Sequence, residues 1–116
     1  MKTTVAELRK VIDFKETTEV GDIVLIAAKN PDMLIYAMVR AIERDESRRD
    51  EWWHVRMTVL SVPPQLMAWT LRGPQMTGQE IFTMGGDERF MQAVKLPEDE
   101  APGQAKKVGK PIRRIK

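Results

Sequence analysis

A chain of 116 residues is enough for one domain and too short for two. Hydrophobic residues make up 42% and charged residues 31%, the balance of a soluble globular domain, and the wholly apolar runs (residues 23 to 28 and 33 to 39) are far short of the roughly 20 residues of a membrane-spanning helix. The chain has no cysteine, which excludes disulfides, thiolate metal sites and cysteine nucleophiles, and its net charge of +2 is the sum of unequal parts.

Residues 4 to 14 read as a short amphipathic helix. Thr4 and Glu7 have capping-box spacing, and Val5, Leu8, Val11 and Ile12 fall on one face. Glu7 stands where an export signal would begin its apolar region, so no signal peptide and a cytoplasmic protein are expected. Val20-Gly21-Asp22 is a turn into Ile23-Val24-Leu25-Ile26, a segment apolar on both faces and expected as a buried strand. Residues 31 to 44 are ambiguous. Asn30 as cap and Pro31 at the first helical position would open a helix, whereas Ile35, Tyr36, Val39 and Ile42 would build a strand. No glycine closes the helix, and the strand is preferred.

Asp45 to Asp50 reads as a polar loop. From Glu51 to Val62, Trp53, Val55, Met57 and Val59 alternate with His54, Arg56 and Thr58, the period-2 pattern of a half-buried strand. Pro63-Pro64 ends it, and Leu66 to Leu71 follows with Met67, Trp69 and Leu71 on one side. Arg72 to Gln79, with Gly73-Pro74 and Gly78, is a loop or a single 3₁₀ turn, and residues 80–84 and 89–96 form two more strands. Pro97 to Gly103 has linker composition. The segment from residue 101 onward carries Lys106, Lys107, Lys110, Arg113, Arg114 and Lys116 and no acid, leaving 13 basic against 17 acidic residues in positions 1 to 100. Too little in it is apolar to drive ordering, so residues 98–116 are expected as a disordered basic tail.

The expected architecture is mainly β: residues 1–97 form a small barrel of five or six strands with one N-terminal helix. The stretch Val20-Gly21-Asp22 followed by a hydrophobic strand resembles the first strand of SH3-like barrels such as Tudor and KOW modules, which implies a small β-barrel binding fold. Gly85-Gly86-Asp87-Glu88 shares four letters with the signature loop of GGDEF-type diguanylate cyclases. That family's α/β domain is longer than this chain and needs an earlier metal-binding aspartate. Two glycines between strands instead supply the positive φ of a tight hairpin. Arg40, Arg44 and Asp45-Glu46-Ser47 resemble parts of the PilZ pattern, but the two halves are nearly adjacent and Asp50 stands where its glycine should be. A charged loop accounts for them.

His54 is the only histidine; the only serines are Ser47, in a charged loop, and Ser61, at a strand end, so no hydrolase triad suggests itself, and no metal-ligand spacing accompanies it. No catalytic residue, metal site or cofactor is expected. Trp52 and Trp53 are adjacent and must leave a strand on opposite faces. Trp53 shares the apolar register, so Trp52 faces outward with His54 and Arg56, unless the N-terminal helix covers it through Leu8 and Ile12. Trp52, His54 and Arg56 are the candidate partner-binding residues of a non-catalytic protein-interaction module. The competing reading is RNA or DNA binding, with Lys106, Lys107, Lys110, Arg113, Arg114 and Lys116 neutralising phosphates and a barrel aromatic stacking on bases.

Overall fold

The computed structural model describes residues 1–97. It opens with α1 (Lys2–Val11), followed by β1 (Ile23–Ala28), β2 (Met33–Arg44), β3 (Trp52–Val59) and β4 (Gln65–Arg72). A single helical turn, α2 (Gly73–Met76), leads to the hairpin of β5 (Phe82–Met84) and β6 (Asp87–Ala93). The six strands form one antiparallel sheet in the order β4-β3-β2-β1-β6-β5, curled into a half-barrel. Curling brings Trp69 of β4 to Phe82 of β5, ring centroids 5.9 Å apart and nearly perpendicular.

The ambiguous segment is a strand throughout. Its apolar residues repeat at helix-like intervals because β2 is bulged: pairing with β3 steps from Val39↔Met57 to Ala41↔Arg56, leaving Arg40 as the extra residue. Val39 and Ile42, three positions apart, therefore both face the concave side, where Val39 is fully buried. The concave core is built from Val24, Ile26, Ala37, Val39, Val55 and Met57, closed by Met76, Phe82 and Met91. Burying the valine, isoleucine, methionine and phenylalanine side chains among them stabilises the fold by roughly 1.5–3 kcal/mol each.

β1 is apolar on both faces because α1 covers its convex side. Val5, with Leu8 beside it, packs on Ala27 of β1 and Phe90 of β6, and Phe14 meets Phe90 edge-on at 5.9 Å. Arg9 ties this layer down: its Nη2 donates to the Gly78 carbonyl at 3.0 Å, and its guanidinium lies 5.6 Å from the Phe90 ring centroid.

Two details of the expected helix need correction. It begins at Lys2, not Thr4, and no side chain caps it, so Thr4–Glu7 does not act as a capping box. Val11 is 80% exposed, because the helix ends there and only its first two turns reach the sheet. Elsewhere the turns form where glycine predicts them: Gly85 and Gly86 take φ of 64° and 88° at the β5–β6 turn. No helix among the described residues is long and apolar enough to cross a membrane.

Candidate functional site

Alternation along β3 settles where its polar side chains point. Trp53, Val55 and Met57 oppose Leu71, Trp69 and Met67 on the concave side, so Trp52, His54 and Arg56 share the convex face with their β4 partners Arg72, Thr70 and Ala68. The helix does not cover Trp52; it lies over β1 and β6, and Leu8 packs with the Phe90 layer. The three candidate residues therefore form one row on the outside of the half-barrel.

The loop after β2 folds against the end of this row. The Asp45 N–H donates to the Trp52 carbonyl at 2.8 Å, which anchors the loop to β3. Asp45 is only 9% exposed, and its carboxylate is fully engaged. It accepts from the Ser47 hydroxyl and backbone N–H and from Arg48 Nε at 3.0 Å, and its Oδ2 is 3.4 Å from His54 Nε2. The Ser47 hydroxyl is the largest influence holding the Asp45 carboxyl below the usual carboxylate range. The Ser47 N–H, Arg48 and His54 act in the same direction, and burial opposes them.

Held in this way, Arg48 sets its guanidinium carbon 4.8 Å from the Trp52 ring centroid, and Arg72 approaches the same ring to 6.0 Å. His54 is hydrogen-bonded on one side, its Nδ1 lying 3.0 Å from Thr70 Oγ1, and faces the Asp45 carboxylate with the other. Carboxylate, imidazole and hydroxyl are thus in line, but on the open surface of a sheet and with a side-chain exposure of 47% at the imidazole. Their geometry fixes the ring in place across β3 and β4.

Further along the row the surface becomes a shallow groove of about 610 Å³, lined by Arg40, Arg56, Thr58, Leu66, Met67 and Ala68 among others. Ala68 opposes Arg56 and supplies only a methyl group there, so it forms the floor. Arg40, projected by the bulge, donates to Thr58 Oγ1 at 3.4 Å, and Arg56 has only a loose, exposed contact with Glu43 at 4.0 Å. Among the described residues, these are the contacts of the two guanidinium groups, which leave most of their donors unpaired. Leu66 is 88% exposed at the rim.

Sequence reasoning named Trp52, His54 and Arg56 as candidates; the structure sets Arg40, Arg48, Asp45, Thr70 and Arg72 beside them, which that reasoning did not name as site residues. Arg72 and Thr70 were within reach of it: a hairpin turning near Pro63 sets Trp52 opposite Arg72. The Asp45–Ser47 turn also has a local signature. Arg40 had none, since its position depends on the bulge. The basic residues Lys106, Lys107, Lys110, Arg113, Arg114 and Lys116 lie outside the described residues. A separate apolar depression of about 690 Å³, lined by Ile12, Leu25, Leu34, Tyr36, Leu60 and Leu96, lies toward the other end of the strands. It lacks convergent charge. Comparison with protein-family models, with curated proteins and with solved structures finds no match.

Proposed function

We propose that this chain is a non-catalytic interaction module that recognises an acidic protein segment on the convex face of β2, β3 and β4. One observation carries the reading: Arg40, Arg48, Arg56 and Arg72 converge with Trp52 and His54 on one outward surface. Guanidinium forks pair with carboxylates in two-point geometry, and an indole beside them adds rigid contact area, the combination that dominates protein interfaces. The finer fold assignment, an SH3-like barrel, is supported by the meander β1 to β4, the single turn α2, and the return of β6 to pair with β1. Such a fold serves many partners and does not choose among them.

The alternative is nucleic-acid binding through the basic tail and Trp52. Against it, the Trp52 ring already has Arg48 at 4.8 Å, so a base stacking there would displace a cation held by Asp45. The test uses the full chain, titrated with polyglutamate and with single-stranded oligouridine at low and moderate salt. Polyglutamate binding weakened about tenfold, or roughly 1.4 kcal/mol, by Trp52→Ala or Arg56→Glu supports the reading. Binding of oligouridine alone, unchanged in both variants, overturns it in favour of the tail.

A further inference from the structure

The groove beside Arg56 ends at an edge of the sheet where, among the described residues, no further strand pairs. Trp52 accepts at its carbonyl from Asp45, and Leu60 donates its N–H to Tyr36; both bonds point toward β2. Backbone direction alternates along a strand, so the even-numbered residues of β3 serve β2 and the odd-numbered ones serve β4. In the observed register, Gln65, Met67, Trp69 and Leu71 answer β3, and Leu66, Ala68, Thr70 and Arg72 turn their N–H and C=O groups outward. The Arg72 N–H is already taken by Gln75 Oε1 at 3.0 Å. Among the described residues nothing pairs with Leu66, Ala68 and Thr70, three consecutive outward stations on the edge.

This edge has none of the usual protection. β4 runs for eight residues without lysine, proline, acid or bulge, and Gln65, Leu66 and Ala68 are exposed. The opposite edge, β5, is only three residues long. Side chains flanking the open edge are of two kinds. On the convex side Arg56 and Arg40 line the groove over Ala68; on the concave side lie Met67 and Trp69.

We propose that β4 takes an extended peptide as an additional antiparallel strand, one in which acidic and apolar residues alternate. This rests on the reading of the convex face as the anion-recognising surface. An added strand lies about 5 Å beyond β4, and its convex-facing residues come about 10 Å from β3, a gap that the Arg56 side chain spans over the small Ala68. Those positions are the acidic ones. The intervening side chains continue the apolar row of Met67 and Trp69 and are the apolar ones. A second copy of this chain is the poorer occupant: β4 carries no acid, so pairing it with itself brings no new counter-charge to Arg40 and Arg56, whose one acidic contact among the described residues is the loose one from Arg56 to Glu43.

The test is a fluorescence-anisotropy titration of the full chain with an acetylated octapeptide of four Glu-Val repeats. In antiparallel addition the glutamate N–H groups face β4 and the valine N–H groups face away. The expected result is binding that weakens at least tenfold on Arg56→Glu, is lost when the glutamates are N-methylated, and survives N-methylation of the valines. Ala68→Pro, which removes an outward donor but no β3–β4 bond, should also abolish binding in a protein whose circular dichroism is unchanged. Binding that depends on Arg56 but tolerates N-methylated glutamates overturns strand addition and leaves the acidic-partner reading standing. No binding of the octapeptide or of polyglutamate overturns both. A concentration-dependent dimer in sedimentation, abolished by Ala68→Pro and indifferent to the peptide, assigns the edge to self-association and overturns the proposal.

Discussion

Arg48 lies over Trp52, its guanidinium carbon 4.8 Å from the ring centroid, while its Nε donates to Asp45 at 3.0 Å. The cation is held by the carboxylate of a residue whose backbone N–H also anchors the loop to β3, so the arginine, the ring and the loop are fixed together. Asp45 has a folded-state pKa below its unfolded value near 3.9. Its contribution is therefore present above about pH 4 and is lost as pH falls through the folded-state pKa. Between pH 6 and pH 3 the wild type should lose more stability than Asp45→Asn, as read by urea midpoints at each pH. Equal losses would mean that Asp45 contributes nothing to acid sensitivity.

The two neighbouring tryptophans should behave differently. Trp53 packs against the concave core and Trp52 lies on the outer face, so Trp53→Ala should lower the urea midpoint more than Trp52→Ala. Neither ring is fully buried, and Phe90, at 0% exposure, is the stricter standard. Phe90→Ala should cost about 3–5 kcal/mol, because it empties the layer between α1 and the sheet. A Trp52→Ala variant that melts below Trp53→Ala would place the register of β3 off by one residue.

Gly78 takes φ of +83°, and a Cβ built on it would come within 2.5 Å of Gln92 Cδ. Gln92 has little room to move: it is 5% exposed, and its Nε2 donates to the Lys15 carbonyl at 2.8 Å. Gly78→Ala should therefore cost about 1–2 kcal/mol for the backbone conformation and about 1–3 kcal/mol more for the overlap. Gly85→Ala, at positive φ but facing open space, should show only the first part. Chemical denaturation of both variants checks the difference, and shortening Gln92 to Ala in the Gly78→Ala background should recover part of the second.

Deleting residues 104 to 116 removes Lys106, Lys107, Lys110, Arg113, Arg114 and Lys116 and should leave the body folded, since the described residues 1–97 build a sheet and core of their own. Any affinity of the full chain for single-stranded RNA should fall steeply with salt, with a slope of about −0.7 per phosphate neutralised, and should vanish on deletion. Polyglutamate binding should persist. RNA binding that survives the deletion would move the nucleic-acid site onto the body, with Trp52, His54 and Arg56 the next residues to change.

Local chemistry carried much of this reading. Period-2 alternation from Trp53 to Val59 decided that Trp52, His54 and Arg56 face away from the core, since side chains of a strand alternate whatever surrounds it. Paired glycines at 85 and 86 decided the last hairpin, because the turn needs φ values that other residues resist. Tertiary structure decided the rest. Val39 and Ile42 are three apart, a helical interval, and only pairing with β3 shows a bulge that turns both inward and thrusts Arg40 out. The apolar face of α1 announced that something would be covered, but not what: Phe90 and Ala27 receive it, and Trp52 stays open to Arg48 and Arg72. Strand order decided that β4 is the long free edge, and whether a backbone N–H meets a neighbour or solvent is a property of the sheet that no single strand contains.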